Sequence, residues 1–167
     1  MDPVLSLLDI DPQVPPQFAA IKRLDFIRSA VSFPPESHEK GFKQMLILRH
    51  LKVDRVETGL VLSTLAIKPS LTNRYNTLHG GAVAMIASMM GLAAVKTIAA
   101  DKEFVQTEMS MSYLSAGRIG VELEVEAKVL RFGKSVAITS IVIRDKETKQ
   151  LTHQGRCSFY NMPTSHL

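Results

Sequence analysis

The sequence predicts an α+β protein in which a curved antiparallel sheet wraps around one long central helix. One observation is an apolar helical segment from about Gly81 to Ala99, which has strand-like segments on both sides. Another is the segment 121–129, where apolar residues alternate with Glu and Lys, so that a strand there has one buried face and one wet face. An apolar helix flanked by such strands packs against the inner face of an antiparallel sheet.

The first 44 residues predict a helical extension ahead of this core. Residues 1–14 contain prolines and acidic residues and are expected to form an irregular arm. Apolar side chains then recur at helical spacing from Pro16 to Val31, with a proline at the start, and the two prolines after Phe33 end this helix. A short helix capped by Ser37 is expected to reach Gln44.

From Met45 onward the spacing of apolar residues is that of strands. The segments 47–57 and 60–68 are separated by Thr58-Gly59, which is a hairpin signal. A polar loop, 69–77, leads into the central helix. Four further strands follow it, at 104–115, 121–131, 135–145 and 151–160. These bounds define one domain, 45–161, between the helical extension 1–44 and a tail, 162–167.

Composition and charge exclude several classes of protein. A chain of 167 residues suits one domain with a substantial core. Its net charge of +4 comes from scattered bases, and aromatic residues make up only 6%. This argues against nucleic-acid binding and suits an anionic small ligand. Apolar stretches stay shorter than the roughly 18 residues of a membrane span. The histidines show no metal-ligand spacing, so no metal is expected.

Two features bear on location. The only cysteine, Cys157, excludes an intramolecular disulfide and fits a reducing compartment. The last three residues, Ser165-His166-Leu167, resemble the Ser-Lys-Leu peroxisomal address, with histidine in place of lysine. The N-terminal residues lack the basic region of a signal peptide. The sequence therefore predicts a peroxisomal protein, with the cytoplasm as the alternative.

The start of the central helix carries the residues that favour chemistry. A loop delivers His79, Gly80 and Gly81 to the first helical turn. Glycines let a ligand approach the backbone closely, and the free N–H groups of a helix N-terminus stabilise a negatively charged oxygen. This arrangement suits carbonyl chemistry. However, no Asp or Glu occurs from His79 to Ala100.

The order of elements, with Asn73 followed by Leu78-His79-Gly80-Gly81 at the helix start, resembles the hotdog-fold acyl-CoA thioesterases. The most similar group includes the phenylacetate-pathway thioesterases and the small eukaryotic acyl-CoA thioesterases. The resemblance runs from about Met45 to Tyr160 and leaves out the N-terminal helices. Three further segments share it: 111–115 (Met-Ser-Tyr-Leu-Ser), 131–135 (Arg-Phe-Gly-Lys-Ser) and 154–156 (Gln-Gly-Arg).

The resemblance implies a homodimer formed by edge-to-edge pairing of sheets, often doubled into a tetramer, with active sites at the dimer interface. The implied substrate is an acyl-CoA, and CoA enters as part of it, so no separate cofactor is expected. The resemblance also implies that a glycine N–H, from Gly80 or Gly81, polarises the thioester carbonyl, and that Asn73 and His79 place the thioester or the water. The implied CoA-binding residues are Arg131, Gly133, Lys134 and Arg156.

Three of these residues have alternative interpretations. His79 could be a loop histidine fixed by backbone hydrogen bonds, and Asn73 could serve only to shape the loop. Lys134 could be ordinary turn chemistry.

The chain departs from the family at two positions. The family's helix carboxylate corresponds to Ser88, which lies two helical turns after Gly81 and on the same face. Serine is not a carboxylate base, but its hydroxyl can hold a water molecule. The family's third-strand hydroxyl corresponds to Gln106. Glu108, two residues further on, shares its face by strand alternation and is a candidate substitute base; the alternative is a solvated or salt-bridged residue.

Two functions from different classes follow. The first is hydrolysis of acyl-CoA to a free carboxylic acid and CoA. The second is non-catalytic binding of acyl-CoA or acyl-lipid, in a protein that kept the pocket and lost the carboxylate. A hotdog dehydratase is disfavoured because the acidic helix residue that it needs is missing.

Overall fold

The computed structural model describes residues 47–162, which form six strands and one long helix. Helix α1 is Gly80–Lys96, and a single 3₁₀ turn, Pro69–Leu71, precedes it. The strands are β1 Leu51–Glu57, β2 Leu60–Ala66, β3 Phe104–Tyr113, β4 Glu122–Phe132, β5 Val136–Asp145 and β6 Leu151–Asn161.

All six strands form one antiparallel sheet in the order β1-β2-β4-β5-β6-β3. The face that carries the alternating apolar side chains is covered by α1, and we call it the inner face. Ile86 and Val95 of α1 are fully buried there with Ile141 of β5. The predicted α+β architecture is therefore confirmed, and β3 lies at one edge of the sheet.

The ends of the elements differ from the predicted ones by a few residues. Ile47 and Leu48 are helical and a turn follows, closed by a hydrogen bond from His50 N–H to Ile47 O (3.0 Å), so β1 begins only at Leu51. The helix ends at Lys96 rather than Ala99. The Thr97 hydroxyl donates to Ala94 O (2.7 Å) and accepts from Gly59 N–H (2.6 Å), which ties the helix end to the β1–β2 turn.

Some predictions fall on other parts of the chain. The arm 1–14, the helices 16–31 and 37–44, and the peroxisomal tripeptide at 165–167 lie outside the described residues and stay predictions. Among residues 47–162, no helix is long and apolar enough to cross a membrane.

Gly155 of β6 allows two strands to meet. It lies opposite Met111 of β3. A Cβ atom at Gly155 would be 2.1 Å from Met111 Sδ and 2.3 Å from the backbone oxygen of Ser110. The oxygen belongs to the β3 backbone, so β3 itself would have to shift to make room.

We therefore expect Gly155→Ala to lower the free energy of unfolding by roughly 3 kcal/mol, as overpacking does when the backbone must move. Gly117→Ala is the matched control. The atom nearest to its Cβ would be Ile67 Cδ1 (2.7 Å), the movable end of a side chain, and Leu123 Cδ1 would be in ordinary contact at 3.4 Å, so we expect a loss below about 1 kcal/mol. Urea unfolding of both variants measures the difference, and equal losses would contradict this explanation.

Candidate active site

The loop before α1 is held in shape by Asn73. Its Oδ1 atom accepts hydrogen bonds from the backbone N–H of Tyr75 (2.9 Å) and from the N–H (3.3 Å) and hydroxyl (3.1 Å) of Thr77. Asn76 takes a left-handed conformation (φ 58°) that asparagine tolerates. These contacts favour the loop-shaping role of Asn73, which acts on the site through the position of His79.

His79 caps the N-terminus of α1. Its Nδ1 atom accepts a hydrogen bond from Gly81 N–H at 2.9 Å, and its own N–H donates to Leu71 O at 2.9 Å. Because Nδ1 accepts, the neutral ring carries its proton on Nε2. The ring is exposed. His79 therefore presents its Nε2–H as a donor at the N-terminus of α1, while Nδ1 accepts the hydrogen bond from the Gly81 backbone.

The same cap distinguishes the two candidate glycines. Gly81 N–H is taken by His79, whereas Gly80 N–H has no acceptor among residues 47–162. The Tyr113 hydroxyl donates to Gly80 O at 3.3 Å. A Cβ at Gly80 would lie 3.5 Å from Tyr113 Cε1, which is ordinary contact, so packing does not demand glycine there. Gly80 N–H is thus the free donor of the first turn, at a place left open to a ligand.

Tyr113 is a site residue that the sequence analysis did not single out. It lies within the matched segment 111–115, but only the folded sheet brings the end of β3 beside the start of α1. The ring of His153 meets the Tyr113 ring edge-on, with centroids 5.6 Å apart. Burial lowers the pKa of His153, which favours the neutral form of the ring that contacts Tyr113.

Ser88 lies on the face of α1 that the sheet leaves uncovered. Its neighbours Ala87 and Met89 are buried, whereas Gly81, Ser88 and Leu92 are not. These exposures agree with the predicted placing of Ser88 on the face of Gly81. The Ser88 hydroxyl forms no hydrogen bond to any residue in the described part of the chain, so it is free to bind a ligand or water.

Besides the Ser88 hydroxyl, the side-chain amide oxygen of Gln106 is also without a hydrogen-bond partner among the described residues. Gln106 pairs with Phe159, which is buried on the inner face, and its Oε1 atom is itself buried. Such an orphaned buried acceptor is rare in folded proteins, and it can accept a hydrogen bond from a ligand or a water molecule.

The middle of α1, which includes Ser88, lies near the strand that carries Gln106. Ala87 O accepts from Cys157 Sγ at 3.8 Å, and a Cβ at Gly91 would lie 3.1 Å from the Phe159 ring. The middle of α1 therefore lies over β6 at Cys157 and Phe159, and Gln106 is on the strand next to it.

The predicted placing of Glu108 is wrong. Gln106 pairs with Phe159, and Glu108 pairs with Ser158, which is adjacent to Phe159 in β6. Thr107 is therefore an extra residue, a β-bulge, and it interrupts the alternation of faces along β3. Consecutive residues of a strand point to opposite faces. Glu108 is therefore exposed on the outer face of the sheet, away from α1, and does not substitute for the missing carboxylate.

The predicted CoA-binding turn lies at the far end of the sheet. Gly133 N–H donates to Val136 O (2.9 Å), and Asn161 Nδ2 donates to Lys134 O (3.2 Å), which leaves the side chains of Arg131 and Lys134 exposed. The rings of Phe132 and Phe104 lie 6.0 Å apart, so this turn is beside the start of β3.

The α1 N-terminus, in contrast, contacts Tyr113 at the end of that ten-residue strand. Within one chain, Lys134 and Gly80 are therefore about 30 Å apart.

Arg156 lies apart from that turn. It occupies the middle of β6, opposite Ser110 of β3 and Ser140 of β5, and it is exposed on the outer face. The structure therefore does not bring Arg156 together with Arg131 and Lys134. Residues 47–162 also contain no group of three His, Cys, Asp or Glu side chains that could hold a metal ion.

Comparisons with known proteins agree on one family. The thioesterase superfamily model matches residues 75–152. Acyl-coenzyme A thioesterase 13 of Homo sapiens is 31% identical over 98 residues, which cover 59% of this chain and 70% of the relative.

Two solved structures show the same fold. Zebra fish thioesterase superfamily member 2 has a TM-score of 0.70 at 24% identity, over 81% of this chain and 93% of that one. Thioesterase superfamily member 2 of Mus musculus has a TM-score of 0.72 at 21% identity, over 88% of this chain and 98% of that one. The chain therefore belongs to the thioesterase superfamily and has its hotdog fold.

Proposed function

We propose that the protein hydrolyses acyl-CoA thioesters to a carboxylic acid and CoA. The observation that carries this proposal is the Gly80 N–H, which has no acceptor among residues 47–162 and lies at the N-terminus of α1 between His79 and Tyr113. The similarity to acyl-coenzyme A thioesterase 13 supports an acyl-CoA as the substrate.

The reaction uses this donor to stabilise charge. The thioester oxygen accepts a hydrogen bond from the Gly80 N–H, and the dipole of α1 further stabilises negative charge on that oxygen. A water oxygen attacks the carbonyl carbon, and the oxyanion that forms is stabilised by roughly 3–4 kcal/mol for such a donor. The carbon–sulfur bond then breaks. The thiolate leaves and takes up a proton, and the proton lost from the water passes to the solvent.

In the dimer proposed below, two neutral groups of the second chain hold the attacking water in place of a carboxylate. Gln106 Oε1 is an acceptor without a partner, and the Ser88 hydroxyl is unused among the described residues. Together they orient a water molecule but do not remove its proton. A positioned general base contributes roughly 10²–10⁴-fold, so the wild-type rate should be low for this family.

We further propose that the site is completed by a second copy of the chain. β3 is an edge strand, and the apolar side chains of Met109, Tyr113 and Leu114 are exposed along it or directly after it. Antiparallel pairing of two such edges sets the start of one β3 beside the end of the other. The Gly80 of one chain would then meet the Gln106 and Lys134 of its partner. Pairing of dimers into a tetramer stays a prediction.

The test is release of free thiol from a panel of acyl-CoA esters that differ in chain length and include aromatic acyl groups, followed with Ellman's reagent. We expect steady release for at least one ester, together with formation of the free acid. Tight binding without release for every ester would instead favour the non-catalytic binder.

Cys157 should not disturb this assay. Burial raises the pKa of its thiol to about 11, and Cys157 is the only cysteine of the 167-residue chain. Since the thiolate is the reactive form, we expect the native protein to leave Ellman's reagent unchanged and the protein in guanidinium chloride to react with one equivalent. Rapid reaction of the native protein would contradict the burial of Cys157.

A further inference from the structure

Two loops beside the α1 N-terminus are joined into one unit, which we call the loop pair: residues 73–78 and 117–119. Leu78 N–H donates to Gly117 O (2.8 Å), and Ile119 N–H donates to Asn76 O (3.1 Å). Thr77 lies opposite Arg118 in an antiparallel bridge. The three bonds that Asn73 Oδ1 accepts stiffen the first loop. The loop pair therefore holds its side chains at fixed places next to His79.

The loop pair is positively charged, and no acidic side chain within residues 47–162 pairs with it. Arg74 and Arg118 are both exposed, and neither forms an ion pair with a residue of the described range 47–162. The chain contains no Asp or Glu from residue 58 to residue 100. Glu122, the first acid after Arg118, is bound to Lys146 at 3.0 Å. Among the described residues, the positive charge of Arg74 and Arg118 is thus left without a compensating acid beside the thioester position.

An exposed aromatic ring accompanies these charges. Tyr75 is 68% exposed at the tip of the first loop. The Arg74 guanidinium carbon lies 4.7 Å from the centre of its ring, and Arg74 Nη2 donates to the Tyr75 hydroxyl at 2.5 Å. Most of the ring stays open to solvent. A fixed aromatic surface beside arginines is the combination that binds a base together with phosphates.

We propose that the loop pair binds the nucleotide part of CoA, with Arg74 and Arg118 holding its phosphates and Tyr75 stacking on its adenine. The identity of this ligand rests on the proposed function. The tip of the first loop lies about 10 Å from the helix start, a distance that the flexible pantetheine arm can span. The subsite belongs to the same chain as Gly80, in contrast to the Lys134 turn, which the partner would supply.

The test compares the double variant Arg74→Ala/Arg118→Ala with a charge-matched control, Lys128→Ala/Arg144→Ala, whose residues lie in β4 and β5. Binding of CoA is measured by titration calorimetry. We expect Kd to rise about 100-fold in the loop-pair variant, about tenfold for each charged contact, and to change less than about threefold in the control. A loop-pair variant that binds CoA as tightly as the wild type would overturn the proposal, and so would a wild type that binds no CoA.

Kinetics separate a nucleotide contact from a loop that is merely distorted. One acyl group is presented on CoA and on pantetheine, which lacks the nucleotide. We expect KM of the loop-pair variant, and to a smaller extent of Tyr75→Ala, to rise for acyl-CoA and to stay unchanged for acyl-pantetheine. Equal rises for both substrates would refute the subsite.

The subsite and the proposed reaction can fail independently. A wild type that hydrolyses both thioesters with the same KM would refute the subsite and leave the reaction standing. Conversely, CoA binding that depends on the arginines, in a protein without turnover, would refute the reaction and support the subsite.

Discussion

Proline in place of Gly80 is expected to lower kcat about 10²–10³-fold while the protein stays folded. The substitution removes the backbone N–H that we assign to the oxyanion, and the loss of one such donor typically has this effect. Gly80 is the first residue of α1, where proline is well tolerated, and His79 before it has the extended conformation that a following proline requires (φ −64°, ψ 129°).

Gly80→Ala is the matched control, since it adds a Cβ atom and keeps the N–H. That Cβ would make only ordinary contact with Tyr113, at 3.5 Å, so we expect thermal unfolding near that of the wild type. The steady-state kcat of the two variants, measured on the best acyl-CoA of the panel, gives the contribution of the N–H. If both variants lose the same activity, the donor is some other group.

Aspartate in place of Ser88 is expected to raise kcat about 100-fold, because a positioned carboxylate can take the proton of the attacking water. Ser88 lies on the uncovered face of α1, so a charge there need not be buried in the core. The rate of the variant should also acquire an acid limb, with activity falling as the new carboxylate is protonated. The measurement is kcat as a function of pH for the variant and the wild type.

Ser88→Asn controls for size and polarity without a base, and we expect no gain from it. A folded Ser88→Asp variant whose kcat equals that of Ser88→Asn would show that the attacking water is held elsewhere. A rise in kcat in Ser88→Asp but not in Ser88→Asn would show that position 88 is where a general base can act on the attacking water.

The sequence predicted secondary structure correctly where the structure of a residue depends mainly on its neighbours in the chain. Alternation along segment 121–129 and the turn at Thr58-Gly59 located strands correctly, because period and turn chemistry are local. Glu108 was misplaced because the bulge at Thr107 exists only through the pairing of β3 with β6. The register between strands is set by the whole sheet, and a count along one strand cannot supply it.

The choice between Gly80 and Gly81 was open for a similar reason. Both glycines sit at a helix start, and it is the orientation of the His79 ring that occupies one N–H and leaves the other. The importance of Tyr113 likewise depends on a contact between the end of β3 and the start of α1, residues 33 positions apart. The absence of a helix acid, in contrast, could be seen from the sequence directly.

Gly80 and Gly155 are subject to different selective pressures. A side chain at 155 would collide with the β3 backbone, so a related sequence without this glycine can fold only if β3 shifts. A methyl group at 80 fits, and stability does nothing to preserve the glycine there. In lineages that diverge from this chain, glycine at 155 would therefore mark retention of the fold. Glycine at 80 would mark lineages in which open access to the backbone N–H is still under selection.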